Sequence, residues 1–222
     1  MSELRLVLFD CDGTLVDSAG HIVGAMQQAF IEHGLVPPPD EAVKSIIGLS
    51  LPRAIAQLAD RAGDALDDIV LTYKRVYRDA VDPGAATEPL FPGIIAMLDA
   101  LATPETLFGV VTGKSRHGLD RIIAGHGLTG RFITTVTADD AASKPAPEMV
   151  ERALAETGVA PARTVVIGDS SFDIEMARAA GAFAMGVAWG YQPVERLEAV
   201  GAHVVAKTVG DIPALVDGLV AP

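Results

Sequence analysis

Near its start the chain runs an apolar stretch, Leu6 to Phe9, straight into Asp10 and Asp12, with Gly13 directly behind, in the segment LFDCDGTLVDS. Three later segments present groups of related chemical character. VVTGKS carries Thr112, Gly113 and Lys114; SKPAPE carries Lys144; GDSSFD carries Asp169 and Asp173. Carboxylates are hard oxygen ligands for a divalent cation, whereas a lysine, a hydroxyl and a closely approaching amide suit an anion. Gathered at one place, the set would neutralise and orient a charged group. Taken singly, each has an ordinary explanation. Asp12-Gly13 alone is a common turn, Lys144 before Pro145 is a loop lysine, and Asp173 caps the helix that it begins.

Convergence depends on the elements that carry these residues. Five short apolar runs read as buried strands: 4–9, 107–112, 132–137, 164–168 and 182–187, with 204–205 as a short sixth. Helical patterns lie between most of them, in SRHGLDRIIAGHG, PAPEMVERALAETG and SFDIEMARAAG, the last two ending in Gly158 and Gly181 where a helix C-terminal glycine belongs. Alternating strands and helices predict an α/β fold, a Rossmann-like parallel sheet with helices on both faces. In such sheets ligands bind beyond the carboxyl ends of the strands, and every group named above follows a strand. Residues 19–86 break the alternation with four helical stretches and no strand, which predicts an inserted all-helical subdomain. Its junctions fall near Asp17–Gly20 and in TEPLFPG, Thr87–Gly93.

Bulk composition narrows the function. The chain has 222 residues, half of them apolar and 5% aromatic, a filling that suits helix-covered parallel sheets. Its formal net charge of −12 opposes nucleic-acid binding and binding to an anionic membrane surface. It does not oppose a small anionic substrate, because local cations reverse the sign inside a pocket. The single cysteine, Cys11, allows no intrachain disulfide. It lies between two acids, which predicts a raised thiol pKa and a packing role. No signal peptide or membrane span is apparent, so a soluble cytoplasmic protein is expected.

DCDGTLVDS, VVTGKS, SKPAPE and GDSSFDIEMA resemble, in order and spacing, the four motifs of the haloacid dehalogenase-like hydrolase superfamily. Helices inserted directly after the first motif resemble the subfamily of phosphoglycolate phosphatases and β-phosphoglucomutases. The resemblance implies a core of residues 1–17 and 88–222 and a helical cap of residues 18–87. It implies that Asp10 is the nucleophile, forming an aspartyl-phosphate, and that Asp12 protonates the leaving oxygen and then deprotonates water. Thr112 and the Gly113 amide would hold phosphoryl oxygens, and Lys144 would stabilise charge on nucleophile and phosphate. Three aspartates and a phosphate outweigh one lysine, and an oxygen-rich site of this kind suits Mg²⁺. Its implied ligands are the Asp10 side chain, the Asp12 carbonyl and the Asp169 side chain, with Asp173 bound through water or orienting the others.

The expected activity is hydrolysis of a small phosphorylated metabolite, phosphoglycolate-like, by a monomer or homodimer. Inorganic pyrophosphatase, sugar-phosphate phosphatase or mutase, and a non-catalytic phospho-ligand binder are the alternatives. Dehalogenases of the superfamily lack the second aspartate, present here as Asp12. In the segment IIGLSLPRAI the position of the β-phosphoglucomutase arginine and the phosphonoacetaldehyde hydrolase lysine is taken by Leu51, which favours a simple phosphatase. Arg53 and His21 are candidate substrate contacts. Lys114 is expected to face solvent, Asp139 and Asp140 to form a solvated turn, and Trp189 and Tyr191 to line a loop near the site or pack on the surface.

Overall fold

Along the first strand Val7 and Phe9 enter one apolar cluster and Leu6 and Leu8 another. This alternation is what a strand covered on both faces requires. The computed structural model describes residues 4–59, 65–81 and 88–221. Six strands, β1 (Arg5–Phe9), β2 (Thr106–Val111), β3 (Thr134–Val136), β4 (Thr164–Gly168), β5 (Phe183–Val187) and β6 (Val204–Ala206), form one sheet in the order β3-β2-β1-β4-β5-β6. All its pairings are parallel, and Phe9 stands opposite Val110 on one side and Ile167 on the other.

Helices α5 (Ile94–Leu101), α6 (Arg116–Gly125) and α10 (Ile212–Leu219) bury Leu98, Leu119 and Val216 against the Val7 and Phe9 face. Helices α7 (Glu148–Thr157), α8 (Ser171–Ala179) and α9 (Val194–Ala199) bury Met149, Ile174 and Leu197 against the Leu6 and Leu8 face. Full burial of each such side chain contributes roughly 1.5–3 kcal/mol. The sheet is therefore the middle layer, as the alternating pattern predicts. Helices α5, α9 and α10 go beyond the sequence reading.

Helices α1 (Ala19–Glu32), α2 (Asp40–Lys44), α3 (Leu51–Ala59) and α4 (Ala65–Ala80) follow β1 without an intervening strand. They share a third apolar cluster, with Met26, Phe30, Val43, Ile55 and Ile69 at its centre. Phe172 and Tyr191 pack on it from the sheet-bearing part. The expected junction residue Thr87, and the expected cap limit that it sets, lie outside the described residues.

The chain order places the turn of topology between β1 and β4. From β1 the chain builds β2 and β3 to one side; from β4 it builds β5 and β6 to the other. Helices diverge at such a point and leave a crevice beyond the strand ends. Asp10 leaves β1 there and Asp169 leaves β4, with the Asp10 amide donating to the Ile167 carbonyl at 2.9 Å.

Candidate active site

Asp10, Asp169 and Asp173 each offer a carboxylate oxygen within 4.8 Å of the others, and all three residues are buried. Lys144 enters the same space from the loop before α7. Its ammonium is 2.5 Å from Asp173 Oδ1 and 2.8 Å from Asp10 Oδ1, and its side chain is fully buried. Asp173 also accepts from the Ser170 amide and hydroxyl while the Ser170 hydroxyl accepts from the Asp173 amide, a reciprocal cap at the start of α8. Capping and ion pairing thus coexist in Asp173, one oxygen serving each.

Asp10 is treated differently. The contact with Lys144 lacks hydrogen-bond geometry, and neither oxygen of Asp10 has a hydrogen-bond partner. The ion pair with Lys144 offsets only part of the cost of burying the Asp10 carboxylate. Burial pushes its pKa up to about 7 against the opposing charge of Lys144. Burial, with Asp173 and Asp10 alongside, also raises Asp169 well above the usual carboxylate range. Lys144 is held above its ordinary value because Asp10 and Asp173 outweigh the effect of its own burial. Three carboxylates against one ammonium, with neither Asp10 oxygen hydrogen-bonded, fit a divalent cation.

Close backbone approach makes the cluster possible. Gly13 has φ of 85°, and a Cβ there would collide with the Asp169 carboxylate. A Cβ on Gly190 would meet the same side chain. Asp169 is held by the Tyr191 amide at 2.8 Å and the Thr14 hydroxyl at 3.3 Å. Trp189 donates to the Thr14 carbonyl, and the Tyr191 hydroxyl accepts from the amides of Ser18 and Ala19 at the start of α1. The WGYQP loop therefore braces the acidic cluster and the first residues of α1 together.

Thr112 is buried at the end of β2, its hydroxyl accepting from the Lys114 amide at 3.2 Å. Gly113 faces the loop before α3 so closely that a Cβ would stand 2.5 Å from the Gly48 carbonyl and 2.6 Å from that of Leu49. Arg53 is exposed and, among the described residues, reaches only the Lys144 carbonyl, at 3.4 Å. His21 lies half-buried on the first turn of α1, and no hydrogen bond ties it among the described residues.

Two expectations are corrected. Lys114 does not face solvent: its side chain is 7% exposed and its ammonium lies 2.7 Å from Asp12 Oδ1. Asp12 and Tyr77 hold it charged, well above its ordinary pKa, against the effect of burial. Asp140 is more than a solvated turn residue, because it accepts from the Thr137 amide and hydroxyl and pairs with Arg116. Asp139, which is exposed, receives the Arg116 amide. Cys11 is buried in the apolar cluster, and burial followed by Asp12 drives its thiol pKa upward, as expected. The sequence reading missed Glu88, Tyr77 and Thr14, whose types and spacing carry no local signal.

The family model described as haloacid dehalogenase-like hydrolase matches residues 7–187. A Dickeya dadantii protein named probable phosphatase IndB is 32% identical over 210 residues, covering 93% of this chain and 91% of its own. The phosphoglycolate phosphatase of Rhodospirillum rubrum is 32% identical over 218 residues, covering 93% and 90%. Among solved structures, a haloacid dehalogenase-like protein from Bacteroides fragilis superposes with a TM-score of 0.87 at 25% identity, covering 95% of this chain and 100% of that one.

Proposed function

The chain belongs to the haloacid dehalogenase-like hydrolases and is a phosphoric monoester hydrolase; from that premise we propose that it cleaves a small, phosphoglycolate-like ester through an aspartyl-phosphate on Asp10. An Asp10 oxygen attacks phosphorus, the bond to the ester oxygen breaks, and Asp12 gives that oxygen its proton. Water then attacks the phosphorus, Asp12 takes a proton from it, and the bond to Asp10 breaks to release phosphate. Thr112 and the Gly113 amide hold phosphoryl oxygens, and Lys144, oriented by Asp173, offsets their charge.

Mg²⁺ is the cation that we assign to Asp10, the Asp12 carbonyl and Asp169, where it would draw charge from the phosphoryl oxygens. The observation that carries this reading is the Asp10 carboxylate, buried without a hydrogen bond beside two other carboxylates and the single ammonium that they share. Such a group wants a cation on one side and an electrophile on the other.

In the same reading residues 18–87 are a cap that closes over the substrate and excludes water. The apolar cluster shared by α1–α4 and the Gly48 and Leu49 carbonyls pressed on Gly113 support it. Arg53 and His21 remain the cap residues proposed to meet the leaving group. Phosphate release should be measured with Mg²⁺ across phosphoglycolate, sugar phosphates, pyrophosphate and p-nitrophenyl phosphate. Phosphoglycolate should give the highest kcat/KM, and Asp10→Asn should lower every rate by at least about 10⁴-fold. An Asp10→Asn protein with near-normal turnover would end the proposal.

A further inference from the structure

The Lys114 ammonium has three neighbours: Asp12 Oδ1 at 2.7 Å, Glu88 Oε1 at 3.1 Å and the Tyr77 hydroxyl at 3.2 Å. A lysine carries three N–H donors, so all are engaged. Glu88 is fully buried and pairs on its other oxygen with Arg121, while the Tyr77 hydroxyl donates its hydrogen to Glu88. When Asp12 is ionised, Asp12, Lys114, Glu88 and Arg121 alternate in sign and the chain of contacts is electrically balanced; the proton for the leaving oxygen is carried on Asp12 Oδ2, which Lys114 leaves free. The lysine also lies 5.4 Å from the centre of the Tyr77 ring. Its stem runs over Gly118 of α6, where a Cβ would stand 2.9 Å from Lys114 Cγ. An ammonium so placed has no N–H left for a phosphate. It holds a carboxylate in place.

We infer that Lys114 is a positioning residue for Asp12, and that Tyr77, carried by α4, ties this positioning to the seating of the helical unit on the sheet. The inference rests on the proposed role of Asp12 in proton transfer. Anchoring Oδ1 removes the torsional freedom of the Asp12 side chain and leaves Oδ2 for the leaving oxygen. Placement within hydrogen-bond reach decides whether a general acid delivers its usual 10²–10⁴-fold, and a displacement of about 1 Å can cost about 10²-fold. Tyr77 both receives from Lys114 and donates to Glu88. Withdrawing α4 would leave two buried charges each short of a hydrogen bond, a costly state in a low-dielectric site.

Two aryl esters of similar size separate proton delivery from binding. Phenyl phosphate releases a phenol whose acidity resembles tyrosine, with a pKa of about 10, and so needs a proton. The leaving group of p-nitrophenyl phosphate departs readily without one. Lys114→Met should lower kcat/KM on phenyl phosphate by about 10²-fold, and on p-nitrophenyl phosphate by less than about 10-fold. Lys114→Arg should restore part of the lost rate. Tyr77→Phe should show the same substrate selectivity at about one-tenth the size.

Equal losses on both esters, or none on either, would overturn the inference, since a structural or phosphate-binding lysine does not distinguish leaving groups. If Lys114→Met does not fold, the ratio in Tyr77→Phe decides, because that variant removes one hydroxyl only. Asp12→Ala is the reference. A selective Asp12→Ala beside a non-selective Lys114→Met defeats the inference alone, whereas a non-selective Asp12→Ala defeats the reading of Asp12 on which it rests.

Discussion

Buried charge is handled in opposite ways at two places about the end of β1. Around Asp10 three carboxylates share one ammonium, and both Asp10 oxygens lack a hydrogen bond. Around Lys114 all three ammonium donors have acceptors, and the carboxylates Asp12 and Glu88 are paired. Buried polar groups in native proteins are nearly always satisfied, so an unsatisfied pair marks the place where something else binds. The Lys114 network does the reverse: it spends every N–H of the ammonium on fixing side chains and leaves open only Asp12 Oδ2. The difference separates a carboxylate left open to a ligand from a lysine whose donors are all spent on holding its neighbours.

The sharpest way to break the contrast is Lys144→Met. It removes the cation that offsets the carboxylate cluster and should lower the stability of the metal-free protein by about 3–5 kcal/mol, read from urea denaturation. Phosphate release should fall by at least about 10²-fold. Unchanged stability would mean that the cluster is not under electrostatic stress.

A smaller effect comes from pH. The Asp10 pKa rises on folding from 3.8 to about 7, so the folded protein binds that proton more tightly than the unfolded chain. The resulting stability is present below the unfolded value and is lost as pH rises through about 7. Asp169 shifts in the same direction. The melting temperature of the metal-free protein should therefore fall between these limits, and Mg²⁺ should raise it more at alkaline than at acid pH, because a proton and a cation compete for the same oxygens. Equal stabilisation by Mg²⁺ at both ends, measured by calorimetry, would place the cation elsewhere.

The smallest change expected is in Tyr191→Phe. This removes a hydroxyl that accepts from Ser18 and Ala19 and lies 3.1 Å from Asp17, but keeps the amide that holds Asp169. Stability should drop by about 1 kcal/mol, and KM should change more than kcat. A large loss of Mg²⁺ affinity instead would show that the hydroxyl supports the carboxylate cluster as well as the start of α1.

How much of this was legible varied with the range of the interactions. Strand β4 begins and ends where the apolar run TVVIG does, because a central strand buried on both faces needs an unbroken apolar stretch. At the sheet edge β3 shrinks to Thr134–Val136, since it pairs on one side only, and the exposed Ile133 keeps a single backbone bond to the Phe108 carbonyl of β2. Asp10, Lys144, Asp169 and Asp173 were readable because each follows a strand that the sheet brings to the same edge. Lys114 was not, although it belongs to one of those segments. Its acceptors come from the turn after β1, from α4 and from the segment before α5, and no spacing along the chain announces them.

Residue order alone determined the parallel sheet, the helical insertion and the arrival of acids and a lysine at one edge, since strand periodicity and the rule of right-handed crossovers act on local patterns. The tertiary structure decided which of those charges are satisfied and which are left open. Satisfaction is a property of three-dimensional neighbours: Glu88 and Tyr77 complete Lys114 only after α4 has packed, while Asp10 keeps only its ion pair with Lys144, because burial takes away water and no donor among the described residues is aligned on its oxygens.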